Sequence, residues 1–170
     1  MDETDYRLLI ERLARERTGE TVLNGSFSHA SVINECMFRN SSSAISVLTR
    51  RLAPDVFGTD QFISAFGESG EKGTKVTILV EEASSEYLAE HPLAQALRNH
   101  PCVMIRRLSA KHADDVEVNY TIMDGDSYRF ERDKRKAVAV ASFGGSQSFC
   151  GRLKNHFDFY WSESEPISIQ

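Results

Sequence analysis

The stretch Glu117-Val-Asn-Tyr-Thr-Ile-Met-Asp124-Gly-Asp-Ser-Tyr-Arg-Phe130 decides the fold. Its apolar and β-branched residues predict two strands, Val116–Met123 and Ser127–Glu131, joined at Asp124-Gly125. That dipeptide suits a tight hairpin, where the central residues take positive φ. Tyr128 and Phe130 should face one side of the sheet, and Arg129 and Glu131 the other. Arg129 is expected to pair with an acid on the neighbouring strand. A third strand, Ala137–Ser142, follows and is closed by Gly144-Gly145. This half of the chain therefore reads as an antiparallel meander.

Upstream the rhythm is different. A first helix is expected over Asp5–Arg17, with Tyr6, Leu9, Ile10 and Leu13 on one stripe and Gly19 beyond its end. A second spans Ser26–Asn40, with Ser28 as its cap and Val32, Ile33, Cys36 and Met37 as its apolar face. Then come a strand at Ala44–Leu48, a loop marked by Pro54 and Gly58, a short helix at Asp60–Phe66 and a polar turn at Glu68–Gly73. Lys75–Val80 is apolar throughout its core, as a strand covered on both faces would be. Ser84–Asn99 reads as a helix with a bend or new start at Pro92. Val103–Arg106 is a further strand. Helices alternating with strands imply parallel pairing through right-handed crossovers. The final helix, Ser146–Trp161, carries Phe149, Leu153, Phe157 and Trp161 four residues apart and should lie on the sheet. The fold class is thus α/β, a mixed β-sheet with helices on both faces. The chain divides into an N-terminal helix and connector (1–25), a main domain (26–162) and a polar, frayed tail (163–170).

Bulk properties exclude several classes. The chain has 170 residues, 41% of them apolar and 26% charged, as expected of one ordinary globular domain. A net charge of -5 leaves no whole-chain nucleic-acid footprint, although local basic patches exist. No apolar run approaches the roughly 20 residues of a membrane span. The acidic start Met1-Asp2-Glu3-Thr4-Asp5 lacks a signal peptide's features, so a cytoplasmic location and no membrane partner are expected. Cys36, Cys102 and Cys150 are isolated; Cys36 and Cys102 read as buried small hydrophobes. The histidines lack ligand spacing, so no metal and no cofactor is expected.

Four features together resemble one half of the phospholipase D superfamily over roughly residues 26–162. They are the valine-rich Lys75–Val80 strand after a glycine turn, the short strand Val103-Met104-Ile105-Arg106, the strand Tyr120–Gly125 ending in Asp-Gly, and the closing helix with Phe157, Asp158 and Trp161. The resemblance implies a His-x-Lys-x4-Asp motif in which one histidine attacks phosphorus, its counterpart from a second half protonates the leaving group, and lysines hold the phosphoryl oxygens. Here the histidine place holds Glu117, the lysine place Asn119, and only Asp124 remains. A carboxylate repels phosphate and an amide carries no charge, so nucleophile and clamp are both missing. Asp124 is then a turn residue whose side chain caps nearby backbone.

Three functions compete. The first is a non-catalytic binding or regulatory module, dimeric through the edge bearing Glu117 and Asn119 or covered there by a larger protein. Such a module resembles accessory subunits of bacterial regulatory and defence systems. The second is a phosphodiesterase or nuclease with a rearranged centre on His112 and Lys111. The third is a nucleic-acid-binding adaptor. Candidate anion or ligand contacts are Arg50 and Arg51, Arg106 and Arg107, and His112. The two arginine pairs follow expected parallel strands, where ligand crevices of open sheets lie.

Overall fold

The computed structural model describes residues 1–169. Its centre is one eight-stranded mixed sheet. In chain order the strands are β1 (Thr21–Asn24), β2 (Ala44–Thr49), β3 (Lys75–Val80), β4 (Val103–Arg107), β5 (Asn119–Met123), β6 (Ser127–Glu131), β7 (Ala139–Ser142) and β8 (Glu165–Pro166). Across the sheet they run β1-β7-β6-β5-β2-β3-β4-β8. β2, β3 and β4 are parallel, and every other pairing is antiparallel.

Helices cover both faces. On one side lie α1 (Glu3–Glu16), α2 (Phe27–Asn40), α3 (Pro54–Phe57), α4 (Asp60–Glu71), α5 (Ser85–Glu90) and α6 (Ala94–Asn99). Their apolar stripes, including Ile10, Ile33, Phe62 and Leu97, meet Ile45, Val47, Val76 and Ile78 of the sheet in one core. On the other side α7 (Gln147–Ser162) crosses β2, β5 and β6. There Leu153 and Phe157 pack with Leu48, Leu79, Tyr120 and Ile122 in a second, smaller core. Alternation along β2 explains the division: Val47 faces one layer and Leu48 the other.

Several elements depart from the sequence reading. β1 lies in the expected connector and pairs with β7, so α1 and β1 belong to the sheet's architecture. Gly144 takes φ 84, and a Cβ there would stand 2.4 Å from the Arg17 carbonyl oxygen, so the end of α1 docks where only glycine fits. α2 is capped by Ser26, not Ser28, because Ser26 Oγ accepts the His29 N–H. α4 runs past Phe66 to Glu71; Gly70 lets it pass close over the His100 ring and Pro101. The helical stretch over 84–99 does restart at Pro92 as expected: it forms α5 and α6, since Pro92 offers no N–H and holds His91 in extended backbone. The expected loop at Pro54 contains the single turn α3, with proline at its start. The tail is not frayed throughout: β8 pairs with β4, and Arg106 donates to Ser164 Oγ at 2.6 Å and to the Ser164 carbonyl at 2.7 Å. Cys102 is only half-buried, whereas burial pushes the Cys36 thiol up to about 12 and the Cys150 thiol to about 11.

Candidate functional site

A cleft opens where β2 ends and β5 begins. Thr49, Arg50 and Arg51 form one wall, Asn119–Thr121 the floor, and Arg129, Glu131 and the turn Lys134–Lys136 the opposite wall; Phe27 stands at the mouth. The parallel strand β2 delivers its carboxyl end here, as open α/β sheets do at their ligand crevices. The enclosed space is about 90 Å³, below the roughly 300–1,000 Å³ of pockets for drug-sized ligands. Its charged lining is one-sided: Arg50, Arg51, Arg129, Lys134, Arg135 and Lys136 against Glu131 alone. The balancing acids stand behind the wall. Glu81 takes Lys134 Nζ at 2.6 Å, Glu82 lies 3.1 Å from Arg50 Nε, and Asp133 lies 3.8 Å from Lys136 Nζ. The contact with Glu82 is one of charge without hydrogen-bond alignment.

Asn119 is the keystone of the floor. Its Oδ1 accepts the Arg50 backbone N–H at 2.9 Å, and its Nδ2 donates to Glu131 Oε2 at 2.7 Å. Glu131 Oε1 accepts Arg129 Nη2 at 2.6 Å, and Arg129 Nε donates to Asn24 Oδ1 at 3.0 Å. Asn24 in turn donates to the Ala137 carbonyl at 2.6 Å. Thr121 donates to Asn34 Oδ1 at 2.7 Å, closing the network onto α2. Arg129 and Glu131 are 4% and 7% exposed, so each needs the other: an unpaired buried charge is costly. Lys134 donates also to the Val116 carbonyl at 2.6 Å, tying the β6–β7 turn to the segment before β5.

The sequence-derived candidates are scattered around this site. Arg50, Arg51 and Asn119 come together in the cleft. Glu117 does not line the cleft; its half-exposed side chain accepts Arg135 Nη1 at 2.7 Å, and this bond holds its carboxyl below the usual range. Asp124 lies at the far end of β5. Its carboxylate accepts the backbone N–H groups of Ser42, Ser43 and Ala44 at 2.8–3.1 Å, while its own φ is 55. Burial works against its charge, but these bonds prevail and hold the carboxyl below the usual value. Arg106 and Arg107 do not line the cleft. They fasten the tail, Arg106 through Ser164 with its guanidinium over Trp161, Arg107 through Glu165. His112 is likewise outside, hydrogen-bonded to Asp115 and Glu163.

Arg129, Glu131, Asn24, Phe27 and the turn Lys134–Lys136 are the site residues that lie outside the sequence-derived candidates. The signal was present: an arginine and a glutamate two apart share one face of an otherwise apolar strand. Arg129 pairs within its own strand, not with an acid on the neighbouring one as expected. Among the described residues no group of three or more histidine, cysteine or acidic side chains is placed to hold a metal ion. Among them, too, no helix is long and apolar enough to cross a membrane.

The family model described as a domain of unknown function, DUF7931, matches residues 28–169. The chain belongs to the DUF7931 family. No curated protein matches this DUF7931 chain. Solved structures do. The archaeal chromatin protein TrmBL2, described as showing a novel mode of DNA binding, is 12% identical with a TM-score of 0.65 over 96% of this chain and 62% of its own. The DUF7931 chain thus spans less than two thirds of TrmBL2. Nuc from Salmonella typhimurium, a phospholipase D family member, is 14% identical with a TM-score of 0.58, covering 88% of this chain and 100% of its own. NucT from Helicobacter pylori is 11% identical with a TM-score of 0.63, covering 87% and 99%. At these identities the likeness establishes the fold, which is phospholipase D-like.

Proposed function

We propose that this DUF7931 chain is a non-catalytic module of phospholipase D-like fold that binds a phosphate-bearing ligand in the cleft without cleaving it. One observation carries the reading. Asn119 spends both its acceptor and its donor on Arg50 and Glu131, inside a cleft lined by six cations and one carboxylate. The lining favours an anion, and the floor supplies no nucleophile and no mobile cation to hold a transferring phosphoryl group. Glu117, paired outward with Arg135, adds neither. A rearranged centre on His112 and Lys111 finds no support in the geometry, because both imidazole nitrogens are engaged by carboxylates away from the cleft.

The nucleic-acid reading names one source for that phosphate. It is favoured by Phe27, which stands at the cleft mouth and is 51% exposed, as a side chain that stacks on a base would be. The DNA-binding neighbour TrmBL2 supports it as analogy of fold only. The module is further proposed to act as a dimer, or as an accessory subunit beside a larger protein. Phe27, an exposed apolar side chain in the cleft lining, supports such a cover.

The test is calorimetric binding of pyrophosphate and of a short single-stranded oligonucleotide, run beside turnover of an aryl phosphodiester. Binding that weakens with salt and in Arg51→Ala and Lys136→Ala, with no turnover, is the expected result. Turnover by the purified protein above a mock preparation overturns the non-catalytic reading, and absence of binding overturns the ligand.

A further inference from the structure

We propose that the connection between β4 and β5 is a latch set by the charge of His112. The ring lies between two carboxylates: Nδ1 is 2.9 Å from Asp115 Oδ2, and Nε2 is hydrogen-bonded to Glu163 Oε2 at the end of α7. A neutral imidazole has a single N–H, so it donates to one of these groups and turns a lone pair on the other. The cluster is complete only when the ring carries two protons. The charged and titratable groups facing it are Lys111 and Asp115 from the connection and Tyr160 and Glu163 from the α7 side, with Phe159 presenting only a ring edge. Two acids outweigh one lysine. The hydrogen bonds the ring donates to Asp115 and then Glu163 accordingly raise the imidazole above its ordinary value.

The segment so fastened forms no strand. Residues 110–112 make one 3₁₀ turn, and the backbone bonds of 112, 113 and 115 are all local. Among the described residues, 110–113 are tied to the rest of the fold by the contacts of Lys111 and His112 with Glu163 and by the donation of Lys134 Nζ to the Ala113 carbonyl, while the end of the connection is held separately by Lys134 Nζ on the Val116 carbonyl at 2.6 Å and the Lys134 N–H on the Glu117 carbonyl at 2.8 Å. Lys134 also lines the cleft. The charge of His112 is thereby linked to the seating of one cleft cation. Because the folded value is raised, the latch holds fully below the ordinary imidazole value of about 6.5 and loosens as pH rises through the elevated one.

Hydrogen exchange of the whole chain across this pH range, corrected for intrinsic rates, tests the latch. Protection of the hydrogen-bonded amides of His112, Ala113 and Asp115 is expected to fall as pH rises, by about tenfold for each unit by which the His112 titration, followed by NMR, exceeds the ordinary value. In His112→Gln the pH step disappears and protection stays low, while β2 and β3 keep theirs, which shows an intact fold. Glu163→Gln preserves shape, removes one charge and is expected to move the midpoint down. Protection independent of pH in the native chain, a step that survives in His112→Gln, or an unmoved midpoint in Glu163→Gln overturns the proposal.

Discussion

Asp124 shows how a residue can keep its place while its neighbours in a motif change. Its carboxylate gathers three backbone N–H groups at the start of β2, so it fixes the β5–β6 turn against the strand beside it. Replacing it by Ala is expected to cost about 1–3 kcal/mol in urea titration, because charge-assisted bonds to three backbone donors are lost. The pH dependence has a definite sign. Its carboxyl is depressed in the folded state, so its contribution is present above the unfolded value of about 3.9 and is lost as pH falls through the lower folded value. Asp124→Ala should therefore lose less stability between pH 5 and 2 than the native chain does. Asn119 offers a second test. Glu117→His with Asn119→Lys restores the letters of the phosphodiesterase motif, yet lysine has no acceptor for the Arg50 N–H. No aryl phosphodiester turnover is expected, since catalytic groups must be held within about 0.5 Å by their supporting shell. Measurable hydrolysis would show a cleft still shaped for phosphoryl transfer.

Among the elements, long periodic patterns were legible and short ones were not. α2, α7, β3 and the Asp124-Gly125 hairpin stand where apolar spacing and turn chemistry put them, because each buries a continuous stripe. Four-residue β1 and two-residue β8 escaped, because each is held by a partner strand distant in the chain and carries too few residues to show a period. The same limit applied to the site. Arg50 and Arg51 could be picked from their strand end and Asn119 from the motif register, whereas the Asn24–Arg129–Glu131 chain depends on β1 lying near β6, which no local pattern reveals. Arg106 and Arg107 follow a parallel strand as the general rule requires, but a tail strand takes their charge. α7 makes its own prediction. Phe157 is 1% exposed, between the sheet and Trp161, so Phe157→Ala should cost about 3–5 kcal/mol. A loss below about 1 kcal/mol in denaturant titration would contradict that packing.

For the molecule as a whole, the open question is what covers the cleft side. If it is a second copy, sedimentation at micromolar concentration will show a mass near twice 19.1 kDa. Charge substitution at the exposed apolar residue of the cleft, Phe27→Lys, should return it to monomer without loss of helical signal. A monomer throughout that range removes the homodimer and leaves a different protein as the cover. The place of β1 has a practical consequence. The family model begins at residue 28, after α1 and β1 have already been laid down. A gene trimmed to that boundary would yield a chain without Tyr6, Ile10 and Leu13, all 4% exposed or less, and without the side chain that orients Arg129. Its β7 margin would stand bare, a template for stray strands. Such a fragment is expected to partition into inclusion bodies to a greater extent than the chain begun at Met1, which a comparison of the two expressions checks. A clone of this chain should therefore keep the codons before residue 28, where the matched boundary falls.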